Sequence, residues 1–356
     1  MKRYSGRRQR KQLLYGILWA CLISLTLILS AILLDRARGE DSLPTMAPLI
    51  PKVDKTVLIL GKDAVGSNTD VMLLCRLDGK GGKATVLQLP RDTVTAYDGR
   101  LVKLNSLYGR LLSACRKETE KNPEQKALAR LTALLSEHLG VAIDEYVLMD
   151  LKAFRETVDA IGGVPMEVPC DLDYDDPEQG LHIHLKKGNQ VLDGAMAEQF
   201  IRYRAGYVRA DLGRVDAQKL FLAAFIKRVQ EGLTLPTILS VGETMLTHTV
   251  TSLGVTELPS VAAAALSIPL SAIRMMTAPG EITSTGRYYV LNREGMQLLT
   301  AAYFKPTEAG FDPNRFFCGR NNDEILGLYG RPYEAKPLPD AETITENGLS
   351  IAVRSQ

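Results

Sequence analysis

Between Gln199 and Gln218 the chain reads QFIRYRAGYVRADLGRVDAQ, and three of its arginines stand where an anion could be held. Arg202 and Arg204 are two residues apart, so on a helix their side chains diverge by about 200°, whereas on extended backbone they point to the same side. If both serve one ligand, the helical pattern that Asp193 and Gly194 open, and that Ala197, Phe200 and Ile201 carry, must end at about Arg202, with Gly206 as a break. Asp211 suits a helix N-cap and places Gly213 and Arg214 in the first turn. An arginine there opposes the helix dipole by roughly 0.3–1 kcal/mol unless an anion is present. Free amides, a glycine that lets an anion approach and three guanidiniums together describe a phosphate or pyrophosphate seat, with Gln218 one turn beyond Arg214 on the same face. The alternative is that the arginines pair with carboxylates such as Asp211 and Asp216.

A second constellation sits near residue 90. Thr56 to Leu60, Val71 to Arg76 and Ala84 to Leu89 are short apolar runs separated by turn signals, the last two by Asp78-Gly79-Lys80-Gly81-Gly82, and they read as adjacent strands with a hairpin between the second and third. Antiparallel pairing then brings Asp70, at the start of one strand, to the same end of the sheet as Pro90-Arg91-Asp92, at the end of the next. Two carboxylates beside Arg91 suit a hard divalent cation bound through oxygen, which in turn bridges phosphate oxygens. The alternative is ordinary strand-end chemistry, with Arg91 paired to Asp92.

The elements that must position these groups follow in order. Lys103-Leu104-Asn105 opens a helical segment through Leu107, Leu111 and Leu112, and a second helix spans Pro123 to His138. Their apolar faces suit either core packing or a slot for a lipid tail. Glu145 to Met149, Lys152 to Ile161 and Val164 to Val168 read as strand, helix and strand, which predicts a parallel pair in one sheet. Asp171, Asp173, Asp175 and Asp176 follow in what reads as a solvated acidic loop, and His182 and His184 alternate in an extended piece with no third histidine or cysteine nearby to complete a zinc set. The helix from Asp211 runs to about Val229. Further helices fit Pro236 to Leu246, Leu258 to Leu266 and Asn292 to Phe304, with strands at Arg274 to Ala278 and Tyr288 to Leu291. Residues 305–356, rich in Pro, Gly, Asn, Asp and Glu, read as a poorly ordered tail. Cys75 lies in an apolar strand pattern and is expected to be a free thiol; the spacing of Cys75, Cys115, Cys170 and Cys318 does not choose a pairing.

Ahead of all this, residues 1–12 carry Lys2, Arg3, Arg7, Arg8, Arg10 and Lys11, and Leu13 to Leu34 follow without a charge. That stretch reaches about 33 Å as a helix, enough for a hydrocarbon core of about 30 Å. It reads as an uncleaved transmembrane anchor with the basic tail in the cytoplasm and the rest outside the cell membrane. Residues 35–54, with Gly39, Pro44, Pro48 and Pro51, read as a linker. The net charge of +2 includes the basic tail, so the outer part lacks the strongly basic surface of a nucleic-acid binder. No Walker loop, GxSxG or Rossmann fingerprint is present in the sequence.

Several blocks together carry a family resemblance. Thr69-Asp70, LQLPRDT from Leu87, Lys103-Leu104-Asn105, AIGGVPMEVP from Ala160, GLHIHLKKGNQVLDG from Gly180, FIRYR and DLGRVDAQ occur in one order across roughly Lys55 to Phe304. They resemble the signature blocks of the LytR-CpsA-Psr family. The resemblance implies an α/β (α+β mixed) fold in which a central mixed sheet is flanked by helices enclosing an apolar lipid pocket, occupying 55–304. It implies transfer of a glycopolymer, of teichoic-acid or capsular type, from a polyprenyl-pyrophosphate carrier to peptidoglycan, with Mg2+ or Mn2+ assisting. Carried over, Asp70 and Asp92 hold the metal beside Arg91, with Asp92 as candidate base. Arg202, Arg204 and Arg214 hold the pyrophosphate, Asp211 and Gln218 position that cluster, and Lys103 and Arg110 add further cations. Tyr207 and Arg209 are weaker candidates. Hydrolysis of a lipid pyrophosphate and non-catalytic carrier binding remain alternatives.

Overall fold

Runs of Val, Ile, Leu and Met too apolar to face water on either side build the middle of a central sheet, and helices cover both of its faces. The computed structural model describes residues 53–63, 67–177, 180–207, 211–232, 237, 241–242, 244, 247–254, 257–310, 323–333 and 342–343. The expected anchor at 13–34 and its basic tail lie outside the described residues; among those described, no helix is long and apolar enough to cross a membrane. The helix expected from Pro236 falls largely outside them as well.

Strands β1 (Asp54–Lys62), β2 (Thr69–Asp78) and β3 (Lys83–Gln88) form an antiparallel meander as the turn signals predict. β4 (Val94–Tyr97) and β5 (Arg100–Lys103) form a separate hairpin. Helices α1 (Leu107–Lys117) and α2 (Pro123–Leu139) follow, then β6 (Glu145–Met149), α3 (Leu151–Ala160) and β7 (Val164–Val168). β8 (Leu172–Asp176), β9 (Leu181–Leu185) and β10 (Gly188–Leu192) lead into α4 (Gly194–Arg202) and α5 (Asp211–Gln230). The rest comprises β11 (Thr249–Thr251), α6 (Leu258–Ser267), β12 (Ile273–Thr277), β13 (Gly280–Ile282), β14 (Tyr289–Leu291), α7 (Arg293–Tyr303), α8 (Asp323–Gly330) and β15 (Glu342–Thr343).

The main sheet is seven-stranded in the order β11-β6-β1-β2-β3-β12-β15 and mixed, because β6 lies parallel to β1 and β12 parallel to β3. One face carries α1, α2 and α7: Leu107, Leu111, Leu128, Leu131, Leu135 and Leu299 pack on Leu58, Leu60, Leu74 and Leu87. The opposite face takes α5 and α6 through Ala223, Leu222, Ile226 and Val261 against Val86, Ile273 and Met275. A second apolar cluster lies among α3, α4, α5 and the small ribbons β7–β10 and β8–β9. Polar side chains hold the starts of the helices that frame the site. Asp150 accepts the Ala153 N–H at the head of α3, and Asp193 accepts the Met196 N–H at 2.8 Å at the head of α4.

Four expectations are corrected. β7 does not join β6 in one sheet: it pairs antiparallel with β10, because Pro165 lacks the N–H a central strand needs and the strand buries one face only. Lys103 ends strand β5 rather than opening a helix, and a 3-10 turn over Leu104–Ser106 precedes α1. The acidic stretch 171–176 is largely strand β8, paired with β9, not a loop. Part of the tail is ordered: α8 packs Ile325 and Tyr329 onto Val94 and Val290, and β15 adds to the edge at β12. Cys75, Cys115 and Cys170 are free thiols, and Cys318 lies outside the described residues.

Candidate active site

Asp70 and Arg91 meet because of strand register. β2 and β3 pair with Leu73 opposite Gln88, and the Leu89 N–H continues the ladder by donating to the Met72 carbonyl at 2.9 Å. Continuing that register sets Arg91 opposite Asp70, and the Arg91 Nη1 donates to Asp70 Oδ1 at 3.0 Å. The hairpin β4–β5 then folds Lys103 back, so that its Nζ donates to Asp92 Oδ1 at 2.8 Å, while Arg91 Nε is 4.0 Å from that same oxygen. The expected alternative, an Arg91–Asp92 pair, is present at 4.0 Å as one link in the order Asp70, Arg91, Asp92, Lys103, alternating in charge. Backbone bonds lock the three segments: the Asn105 N–H donates to the Arg91 carbonyl and the Leu104 N–H to the Thr93 carbonyl. Arg110, exposed on α1, donates from Nε to the Ser106 hydroxyl at 3.2 Å, which donates in turn to the Lys103 carbonyl.

The arginines stand at the junction of two helices. α4 ends at Arg202, and Tyr203 is extended at φ −63° and ψ 141°. Arg204 is exposed and makes no ion pair with a described residue. Arg202 donates to Glu198 Oε1 at 2.7 Å, and Arg155 takes the other oxygen of the same carboxylate. Glu198 is thus shared by two cations, one on each of its oxygens. Between the two helices Tyr203 and Tyr207 are buried and stack edge to face at 5.2 Å, pinning the strap that carries Arg204. Tyr207 is fully buried, which makes it a packing residue rather than a ligand contact. Arg214, in the first turn of α5, is only 6% exposed. Arg209 and the side chain of Asp211 lie outside the described residues, though α5 does begin at Asp211.

One reading of Gly213 is corrected. A Cβ there would stand 2.4 Å from the Tyr207 Cβ, so the missing side chain admits Tyr207, not an anion. Gly213→Ala is accordingly expected to destabilise the fold by about 1–3 kcal/mol as overpacking, measured by denaturant unfolding. Unchanged stability would mean that Tyr207 is not held against α5.

Two glutamines join the constellations. Gln88, buried at the end of β3 three residues before Arg91, donates from Nε2 to Gln218 Oε1 at 2.7 Å. Gln218 Nε2 donates to the Ile201 carbonyl at 3.2 Å, in the last turn of α4. This relay ties the helix end bearing Arg202, the helix start bearing Arg214 and the strand end leading to Asp92. Gln88, Glu198 and Arg155 were missed in the sequence. Gln88 could have been found from its place in LQLPRDT, where a polar residue interrupts a buried strand.

The model of the LytR_cpsA_psr family matches residues 40–304. The chain belongs to the LytR-CpsA-Psr family. Among LytR-CpsA-Psr relatives, it is 28% identical over 194 residues to the polyisoprenyl-teichoic acid--peptidoglycan teichoic acid transferase TagV of Bacillus subtilis, covering 53% of this chain and 46% of that protein. It is 29% identical over 214 residues to the transferase TagU of Bacillus cereus, covering 58% of this chain and 62% of that one. The chain spans about half the length of the curated relatives it matches. Among solved structures, TagT bound to LIIa-WTA superposes with a TM-score of 0.53 at 23% identity, over 75% of this chain and 96% of that one. TagV of Bacillus subtilis gives 0.52 at 22% identity, over 74% and 95%. These likenesses place the mixed sheet and its helices within the LytR-CpsA-Psr fold.

Proposed function

We propose that the chain is a membrane-anchored phosphotransferase that moves a teichoic-acid-like or capsular glycopolymer from a polyprenyl-pyrophosphate carrier to peptidoglycan. The observation that carries this reading is the relay Gln88, Gln218 and Ile201, which ties the arginine-bearing ends of α4 and α5 to the carboxylate-bearing end of β3. The names of the curated relatives support the substrate class. The apolar layer under α1 and α2 extends to Leu212 in the first turn of α5, so a polyprenyl chain has apolar surface to follow once its phosphates are seated. Residues 13–34 provide the anchor, with residues after Asp35 outside the cell membrane.

The donor set suits a hard divalent cation, Mg2+ or Mn2+. Asp70 and Asp92 are partly exposed, are spanned by a single arginine and offer oxygen ligands only. Such a cation, when bound by these two carboxylates, supplies charge neutralisation at the phosphates. The chain's own groups account for the rest. Arg202, Arg204 and Arg214 neutralise the pyrophosphate and orient it, which is where most catalysis of phosphoryl transfer arises. The acceptor sugar hydroxyl attacks the phosphorus that bears the glycan. The bond from that phosphorus to the bridging oxygen breaks, and polyprenyl phosphate leaves with the electron pair. Asp92, through the oxygen that Lys103 does not engage, takes the hydroxyl proton. Lys103 and Arg91 hold that carboxylate in place.

Full-length protein in detergent, given a synthetic polyprenyl-pyrophosphate sugar, Mg2+ and peptidoglycan fragments, is expected to yield phosphate-linked sugar on peptidoglycan together with polyprenyl phosphate. Sugar phosphate released at the same rate without acceptor would instead make the chain a lipid pyrophosphate hydrolase. Binding without turnover would make it a carrier-binding protein.

A further inference from the structure

The ribbon β8–β9 assembles a second group of ligating side chains, distinct from the carboxylates and arginines above. Its two strands alternate Asp173-Tyr174-Asp175 and His182-Ile183-His184. The antiparallel register sets Asp173 opposite His184 and Asp175 opposite His182. Leu172, Leu181, Ile183 and Leu185 turn inward to the cluster under α4, so period-two alternation forces both aspartates and both histidines onto the outer face. The sequence shows two histidines with no third histidine or cysteine nearby. The ladder supplies the missing ligands from the preceding strand.

The geometry points to a site for a borderline first-row divalent cation such as Zn2+, with His182, His184 and Asp175 as ligands and Asp173 as the group that orients His184. One ligand atom from each of Asp175, His182 and His184 lies within 4.8 Å of the others. His184 Nε2 stands 3.4 Å from Asp175 Oδ1, and His182 Nδ1 stands 2.6 Å from that oxygen. The first separation is that of neighbouring ligands around one ion with bonds of about 2.0–2.1 Å. His184 Nδ1 is 2.7 Å from Asp173 Oδ1. With the proton on Nδ1, that bond fixes the tautomer and leaves the Nε2 lone pair facing Asp175, the carboxylate–histidine–metal arrangement found around bound zinc. Two imidazoles favour zinc, cobalt, nickel or copper over magnesium and calcium, which select oxygen.

The side chain of Lys186, the nearest cation in sequence, is held away from these groups by another carboxylate. Lys186 pairs with Asp171, and the Lys187 N–H also goes to Asp171. A cation here clips β8 to β9. The clipped ribbon meets α4 where the His184 N–H donates to Gln199 Oε1 at 2.9 Å, three residues before Arg202. The site therefore steadies the platform beneath the arginine cluster, and the assignment stands whether or not the transferase reading does.

The test uses untagged full-length protein in detergent, titrated with Zn2+ against a chromophoric indicator. One equivalent is expected to bind tightly to the wild type with Mg2+ present in excess to fill Asp70 and Asp92. Affinity should fall at least a hundredfold in the double variant His182→Gln/His184→Gln and about tenfold in Asp173→Asn, the range for loss of an outer partner. All these side chains are exposed, and matching circular dichroism spectra would confirm folded variants. Co2+ in place of Zn2+ should give visible absorption bands in the wild type that the double variant lacks. No Zn2+ uptake by the wild type, or equal uptake by the double variant, overturns the site. Undiminished affinity in Asp173→Asn overturns the role given to Asp173.

Discussion

Asp92→Asn is expected to lower glycopolymer transfer by about 10²–10⁴-fold, the range for loss of a positioned general base, with the fold nearly unchanged. Asn keeps an oxygen for Lys103 but cannot take a proton from the acceptor. Asp70→Asn should act differently. It weakens the hold on Arg91, now made at 3.0 Å to a charged oxygen, and removes one of two anionic oxygen donors for a cation. Its loss should appear chiefly as a higher Mg2+ concentration for half-maximal turnover. Both side chains are partly exposed, so stability should change by no more than about 1 kcal/mol. Turnover measured across a Mg2+ series, with melting curves alongside, separates the two roles. Wild-type turnover and unaltered Mg2+ dependence in both variants would remove the metal and base assignments together.

The legibility of this site divides along a physical line. Local rules carried what local chemistry decides. The end of α4 at Arg202 follows from the helical pattern of Ala197, Phe200 and Ile201 and the break at Gly206, and the strand-end meeting of Asp70 with Arg91 follows from a short hairpin. The Asp98-Gly99 pair was also legible as a tight turn, since both residues adopt left-handed φ, 49° and 66°, as a two-residue hairpin requires. Reading it would have placed Lys103 on a strand returning to Asp92 rather than at a helix start. What could not be read was tertiary. Gly213 looks the same in sequence whether it opens space for an anion or for Tyr207. Gln88 and Gln218 are 130 residues apart, and nothing in either segment announces the bond between them. The aspartates of β8 and the histidines of β9 likewise become one group only through a ladder register.

Removing the arginines one at a time is expected to weaken binding of the polyprenyl-pyrophosphate carrier by about tenfold to a hundredfold each, since a charge-assisted contact contributes roughly 1.5–3 kcal/mol. The three positions differ in what else they disturb, and the differences make the prediction sharp. Arg204 is exposed and unpaired among described residues, so Arg204→Ala should leave stability within about 0.5 kcal/mol and lose affinity alone. Arg202→Ala should behave nearly as cleanly, because Arg155 remains on Glu198. Arg214 is buried, so Arg214→Ala should also cost about 1–3 kcal/mol of stability. Arg214→Lys keeps the charge there, yet should restore carrier binding poorly, because an ammonium lacks the planar fork that grips two phosphate oxygens. A polyprenyl monophosphate should bind the wild type less tightly than the pyrophosphate, and that gap should narrow in each arginine variant as contacts to the second phosphate are lost. Affinities come from titration of detergent-solubilised protein with both lipids. Equal affinity of the wild type for the two lipids, or an Arg204→Ala variant that binds and turns over normally, would show that the strap between α4 and α5 holds no pyrophosphate.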